Sequence, residues 1–281
     1  CENQQVRKMR KVYNCVYLSV ACKLSQITTM PTGICRLCEN QGELTYEHVP
    51  PRSAFNKLTK FRITPYLDYL KAPNPFEYQV KGKLHQGGIG FYSLCRSCNS
   101  FLGSKYVTTY TKYSNSFIDL AKRVENNHFV IIMENFQPVK VLKQIAAMFL
   151  SVNEDSFSRS NKDLREFVFN TESKELPPRF RFFNYLNSEG NFRHLPVQVK
   201  GSFNSGLTIV ASEIAFPPLG HIMTINFDGS LPYHQEITHF KNFDLEQYAS
   251  LELSIFRLPT YLPFLLDYRH RDTIVDNLKG A

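Results

Sequence analysis

The sequence predicts an α+β protein in which a small N-terminal module of two strands and a helix precedes a mixed α+β domain with a mostly antiparallel sheet. Three patterns indicate this fold class: two Cys-x-x-Cys pairs beside short strand-like runs, an aromatic stripe with helical spacing after the second pair, and proline-separated strand-like runs in the second half. With 281 residues, 43% of them hydrophobic, the chain can form two domains with a buried core.

Positive charge is concentrated in the first part of the chain. Residues 1–29 contain five Lys or Arg and one Asp or Glu, residues 30–124 contain thirteen and six, and residues 125–281 contain fifteen and eighteen. The net charge of +8 therefore comes from the first 124 residues. This asymmetry favours a polyanionic partner for the N-terminal part, and a solvated basic face without such a partner is the alternative.

The seven cysteines favour a metal site over a disulfide framework. They stand at positions 1, 15, 22, 35, 38, 95 and 98, an odd number with two closely spaced pairs. Secreted disulfide scaffolds usually contain an even, dispersed set. Two such pairs match a structural Zn²⁺ site with Cys35, Cys38, Cys95 and Cys98 as its tetrahedral ligands. This cysteine usage, and apolar runs of no more than six residues, predict a cytoplasmic protein without a membrane span.

The residues before the first cysteine pair are not expected to contribute to the site. A basic cluster at residues 7–11 precedes a semi-apolar stretch at residues 12–22, which is a weak match to a signal peptide. We interpret residues 1–29 as a flexible or non-native upstream extension and Met30 as the natural start of the N-terminal module.

Each cysteine pair is expected to adjoin a strand. Gly42 suits the turn of a zinc knuckle after the first pair, and residues 43–46 alternate as in a short strand. Pro50 and Pro51 then end the strand. Residues 91–94 predict the second strand, immediately before the second pair.

The pattern from Asn99 onward is helical. Its apolar residues recur at intervals of three and four and predict core packing: Tyr106, Tyr110, Tyr113, Phe117, Leu120 and Val124. If both cysteine pairs share one zinc ion, the 56 residues between Cys38 and Cys95 become a closed loop. Asn99 then faces the strand end that carries Glu47 and His48. A carboxylate and an amide oxygen are hard ligands that suit Mg²⁺ or Mn²⁺.

This arrangement resembles the HNH, or ββα-metal, endonuclease superfamily, and within it the pattern of phage recombination endonuclease VII. The matching features are Cys-x-x-Cys, an acidic residue followed by His, and Cys-x-x-Cys-Asn, and they cover about residues 33–110. The resemblance implies an HNH nuclease domain over residues 30–124 whose four cysteines bind structural zinc. It further implies that Glu47 and Asn99 hold a catalytic divalent metal, and that His48 is the general base.

The sequence departs from the family pattern at several points. Gly90 stands where many members have an Asn that ties down the loop near the metal, Glu47 replaces the commoner Asp, and the segment between the cysteine pairs is longer. Arg52 is the best candidate to contact the scissile phosphate, within a basic loop at residues 50–84 that also contains aromatic residues. His85 is a candidate to assist or replace a metal ligand.

The second half, residues 125–281, contains no catalytic motif and is predicted to be an α+β domain of unassigned role. Its apolar periodicity predicts helices and strands in the following segments: helices at 139–152 and 161–169, strands at 180–186, 206–215, 220–227 and 248–258. This domain is a candidate surface for a homodimer.

The function expected from these residues is that of a metal-dependent HNH endonuclease that hydrolyses phosphodiester bonds in double-stranded or branched DNA, in a setting such as phage defence. Taken singly, a Glu-His pair is an ordinary surface feature and an Asn after a cysteine an ordinary helix cap. Only their shared spacing favours catalysis. The alternatives are a catalytically inactive zinc-stabilised module that binds nucleic acid, and a structural zinc protein of a larger assembly.

Overall fold

The computed structural model describes residues 12–17, 30–65, 69, 71, 84–123, 126–201, 206 and 208–273. The strands of these residues are, in chain order, β1 (Val12–Tyr17), β2 (Thr32–Ile34), β3 (Gln41–Glu43), β4 (Thr45–His48), β5 (Lys60–Pro65), β6 (Leu84–Gln86), β7 (Gly90–Leu94), β8 (His128–Phe136), β9 (Phe180–Leu186), β10 (Arg193–Gly201), β11 (Thr208–Phe216), β12 (Leu219–Ile225), β13 (Gln235–Glu236) and β14 (Ala249–Phe256). The α-helices are α1 (Arg96–Leu102), α2 (Thr108–Arg123), α3 (Pro138–Val152), α4 (Asp155–Ser160) and α5 (Lys162–Phe169). This is a mixed α+β fold with mostly antiparallel sheets, as expected.

The N-terminal part contains three small sheets. Strands β2 and β3 form a ribbon, β4 pairs antiparallel with β7, and β5 pairs with both β1 and β6. The β1–β5 pairing is parallel. Residues 12–17, which belong to the segment interpreted as a flexible or non-native extension, form β1 and pair with β5.

Helices α1 and α2 follow β7 and are joined by a π-helical segment, Gly103–Val107. The predicted aromatic stripe is confirmed as core: Tyr106, Tyr110, Tyr113 and Phe117 are all buried. Val124, the last member of the predicted stripe, lies outside the described residues.

Helix α3 lies in the centre of the molecule, and all its residues are buried. On one side Ser151 accepts a hydrogen bond from Ser93 of β7 (Oγ–Oγ 3.1 Å). On the other side Phe149 packs against Phe182 of β9, with ring centroids 5.9 Å apart. The helix therefore joins the N-terminal part to the large sheet.

The large sheet has the strand order β10–β11–β12–β9–β13 and is antiparallel throughout. The strands predicted at 180–186, 206–215 and 220–227 are confirmed as β9, β11 and β12, and the one at 248–258 as β14. Helices predicted at 139–152 and 161–169 are confirmed as α3 and α5. In the second half the sequence interpretation missed β8, β10 and β13, and in the first half it missed β1, β2, β5 and β6.

A single apolar cluster extends across the boundary predicted between residues 124 and 125. It contains Leu94 and Tyr106 from the N-terminal side and Leu142, Phe180 and Met223 from the C-terminal side. The core is therefore continuous across residues 124 and 125. Within the described part of the chain, no helix combines the length and the apolar character that crossing a bilayer requires.

Candidate functional site

The four predicted zinc ligands lie together. The Sγ atoms of Cys35, Cys38, Cys95 and Cys98 are all within 4.8 Å of one another. Those of Cys38 and Cys95 are 3.8 Å apart. A tetrahedron with Zn–S bonds of about 2.3 Å has edges of roughly 3.8 Å, so the cluster has the size of a tetrathiolate zinc site. The cysteines therefore form a cluster that could bind a metal ion such as zinc.

The backbone around Cys35 turns as zinc knuckles require. The Cys35 amide donates to the Asn40 carbonyl (3.0 Å), and the Glu39 amide donates to the Cys35 carbonyl (2.8 Å). The Cys95 amide points at the Cys35 sulfur (3.3 Å), which stabilises a thiolate. Glu39, with φ of 62°, makes the turn. The expectation that Gly42 makes it is wrong, because Gly42 lies in β3.

The electrostatics of the cluster favour a cation at its centre. The hydrogen bond between Cys35 and Cys98 is the largest influence on both thiols, lowering the pKa of Cys35 to about 4 and raising that of Cys98. One thiolate thus suppresses ionisation of its neighbours. A divalent cation would overcome this effect on the thiol pKa values, because it stabilises several thiolates at once.

Contacts with the C-terminal half hold the first cysteine pair, Cys35 and Cys38, in place. Arg165 of α5 forms an ion pair with Glu39 (2.8 Å) and donates to the Leu37 carbonyl (3.3 Å). Arg36 donates to the Ser151 carbonyl at the end of α3. The cysteine cluster is thereby anchored to two helices of the second half.

The β4–β7 pair places the predicted Glu-His dipeptide at the end of a strand. In its antiparallel register Glu47 is opposite Phe91 and His48 opposite Gly90. A Cβ atom at Gly90 would lie 2.1 Å from the Glu47 carbonyl oxygen. The close approach of the two strands therefore requires glycine at this position.

One cleft of about 470 Å³ contains all four predicted residues of the candidate active site. Its lining is formed by β4, the residues after it, α1 and the π-helical segment: Tyr46, Glu47, His48, Pro51, Arg52, Ser53, Lys57, Asn99, Gly103 and Val107. His85 is not among these residues and stacks instead on Phe61 (centroids 5.4 Å apart). The fold thus brings together Glu47, His48, Arg52 and Asn99, whose positions span about fifty residues.

Glu47 is a buried carboxyl group without a protein partner in the described part of the chain. Glu47 is only 6% exposed, and this burial raises the pKa of its carboxyl group to about 8. No described donor or basic side chain pairs with it. Because an isolated buried carboxylate is costly, this group fits a cation ligand better than a structural role.

His48 is held in one tautomer. One ring nitrogen, Nε2, lies 3.0 Å from the Gly87 carbonyl oxygen. Since a carbonyl can only accept, Nε2 carries the proton, and Nδ1 of the neutral ring keeps a lone pair. Burial is the main cause that lowers the His48 pKa, and the positive charge of Arg52 acts in the same direction. The ring is therefore neutral near pH 7.

The Asn99 amide is also oriented by its surroundings. Its Nδ2 lies 3.0 Å from Thr45 Oγ1, whose own hydroxyl donates to the Leu94 carbonyl (2.9 Å). The Thr45 oxygen must therefore accept from Asn99. This fixes the amide nitrogen on Thr45 and leaves Oδ1 as a hard oxygen atom that could bind a cation.

The sequence interpretation missed several residues that support the cleft. Thr45 orients Asn99, and His194 of β10 donates through Nε2 to the Val49 carbonyl (2.7 Å), next to His48. Burial lowers the His194 pKa to about 4, which keeps this ring neutral. No local sequence signal marks either contact, because each joins segments that are far apart in the chain.

Comparison of the chain with protein-family models, with curated proteins and with solved structures finds no match.

Proposed function

We propose that this protein is a metal-dependent HNH endonuclease that hydrolyses phosphodiester bonds in DNA. The observation that carries the proposal is the cleft in which Glu47, His48, Arg52 and Asn99 meet beside the four-thiol cluster. Zinc at the four cysteines would have a structural role, since all four positions of a tetrahedron are then occupied by protein.

In this proposal His48 is the general base. Its Nδ1 accepts the proton of a water molecule that attacks the phosphorus, while the Gly87 carbonyl stabilises the proton on Nε2. The lowered pKa of His48 keeps the ring in the basic form at neutral pH. Arg52 and Lys57 are exposed at the cleft and would bind the phosphate oxygens of the substrate.

Glu47 and Asn99 Oδ1 would hold a catalytic divalent cation. A partnerless buried carboxylate and an oriented amide oxygen are the hard donors that Mg²⁺ and Mn²⁺ prefer. Such an ion would stabilise negative charge that develops on the phosphate during hydrolysis. The positive charge of residues 30–124 supports a polyanionic substrate, and double-stranded or branched DNA is the substrate we propose.

The experiment that tests this proposal measures plasmid cleavage with Mg²⁺ or Mn²⁺ by wild-type protein, His48→Ala and His85→Ala. His85 is a matched control because it lies outside the cleft. We expect His48→Ala to lower the cleavage rate by about 10²- to 10⁴-fold with unchanged zinc content, and His85→Ala to cleave like the wild type.

Two other results would count against this function. Salt-sensitive DNA binding without cleavage by any of these proteins would favour the inactive nucleic-acid-binding module. Absence of both binding and cleavage would favour the structural zinc protein. Cleavage by a zinc-loaded His48→Ala protein at the wild-type rate would refute the role of His48 as the base.

A further inference from the structure

A buried amide outside the predicted motif holds the loop that contacts His48. Asn56 is fully buried, and its Nδ2 donates to the carbonyls of Pro50 and Ile89, both at 2.7 Å. Its Oδ1 accepts from the Ile89 amide (2.8 Å). One side chain thus joins the segment after His48 to the segment before β7, and both donors and the acceptor of its amide are used.

Other hydrogen bonds also hold this loop, but none of them involves the Gly87 carbonyl. The Val49 amide donates to the Ile89 carbonyl (3.0 Å), the Gly88 amide donates to the Thr59 carbonyl (3.3 Å), and the Tyr46 hydroxyl donates to the Gly88 carbonyl (3.2 Å). Gly87 and Gly88 have φ of 98° and 100°, a region open to glycine, and glycine is the most flexible residue. A Cβ atom at Gly88 would lie 2.0 Å from the Asn56 carbonyl oxygen and 2.9 Å from His48 Cδ2. Glycines therefore allow the close approach but do not themselves define where the Gly87 carbonyl points.

The position of the Gly87 carbonyl determines the tautomer of His48. It is the acceptor for the Nε2 proton, and no other described hydrogen bond holds the His48 ring. Asn56 is bonded to both the amide and the carbonyl of Ile89, which is two residues from Gly87. Asn56 therefore anchors one end of the short segment that carries this carbonyl.

We propose that Asn56 is a positioning residue that keeps the basic nitrogen of His48 on Nδ1 by fixing the loop Gly87–Ile89. The inference rests on the proposed function for its catalytic consequence, whereas the tautomer of His48 is a property of the folded protein alone. Asn56 acts through the loop and does not touch the reacting atoms.

The test compares the imidazole ¹⁵N chemical shifts of His48 in the full-length, zinc-loaded wild type and Asn56→Ala, at a pH where the ring is neutral. We expect a single Nε2–H tautomer in the wild type and a mixture of both tautomers in the variant. In cleavage assays, kcat should fall on the order of 100-fold, the size expected for a displacement near 1 Å, with KM unchanged.

Asn153→Ala is the matched control. Asn153 is equally buried, and its amide also makes three hydrogen bonds, donating to Phe149 and Ser212 and accepting from the Val197 amide. It contacts no residue of the cleft. We expect a similar loss of stability in both alanine variants, but a shifted tautomer and a lower kcat only in Asn56→Ala.

A second variant covers the case in which Asn56→Ala does not fold. Asn56→Asp keeps the size of the side chain and an acceptor for the Ile89 amide, but it has no N–H groups for the carbonyls of Pro50 and Ile89. The same mixture of tautomers is expected. An unchanged tautomer in a folded Asn56 variant would overturn the positioning role, whereas a wild type that does not cleave DNA would overturn the proposed function only.

Discussion

Replacing Glu47 with glutamine should remove a pH-dependent destabilisation of the protein when no catalytic divalent cation is present. Burial raises the Glu47 pKa from 4.5 to about 8. Between these values the folded state binds more protons than the unfolded state, so the free energy of unfolding falls as the pH rises. The loss is complete above about pH 8 and amounts to about 5 kcal/mol, at 1.36 kcal/mol for each pKa unit.

Urea unfolding of zinc-loaded wild type and Glu47→Gln at several pH values measures this effect. From about pH 5.5 to about pH 7.5 the unfolding free energy of the wild type should decrease by roughly 3 kcal/mol relative to the variant. Added Mg²⁺ should stabilise the wild type and not the variant, since ligands that bind only the folded state shift unfolding. Glu43→Gln, which changes an exposed carboxylate of β3, should follow the wild type.

Parallel pH profiles for the wild type and Glu47→Gln would refute this reasoning, because they would mean that the carboxyl group titrates alike in the folded and unfolded states. Equal stabilisation of both proteins by Mg²⁺ would place the cation elsewhere.

Three further predictions concern the zinc cluster, the glycine loop and the C-terminal core. The purified protein should contain one zinc ion, and a strong chelator that removes it should lower the melting temperature seen by circular dichroism; a zinc-free protein with the same melting curve would contradict this. Gly88→Ala should destabilise the protein and displace the His48 ring, whereas Gly42→Ala, where a Cβ atom meets nothing within 4 Å, should be tolerated in urea unfolding. Glu213→Gln should lower the free energy of unfolding, measured in urea, by about 3 to 5 kcal/mol. The fully buried Arg193 lies 3.0 Å from Glu213 and would lose its charge partner. A decrease of less than about 1 kcal/mol would contradict this prediction.

The elements that the sequence predicted correctly are those whose signals are local. The aromatic stripe after Asn99 has helical spacing, and its first members are core residues. Strand β4 ends at His48, shortly before Pro50 and Pro51. Proline has no backbone N–H group and therefore cannot donate a hydrogen bond within a sheet. Spacing relative to the cysteines correctly predicted that Asn99 and Glu47 line the same cleft. The cluster of four cysteines brings the two segments of the chain together and leaves these residues few other positions.

Two of the missed strands, β10 and β8, have identifiable physical causes. β10 contains Pro196 within an irregularity between Leu195 and Gln198, so a residue that usually separates strands lies inside one. An edge strand of the sheet tolerates this, since its outer amides need no partner there. In β8 the continuous apolar run conceals an alternating pattern: Val130 and Ile132 are exposed at 55% and 67%, and Met133 is buried.

Gly90 illustrates how a departure from a family pattern depends on three-dimensional context. In the sequence alone, glycine at this position removes an amide expected to tie down the loop near the metal, and this favoured an inactive module. In the structure, any side chain at position 90 would collide with the Glu47 carbonyl, because β4 and β7 approach too closely. Asn56 provides an amide for the same loop from a different part of the chain. The glycine is therefore explained by strand packing, and its presence is no longer an argument for lost catalysis.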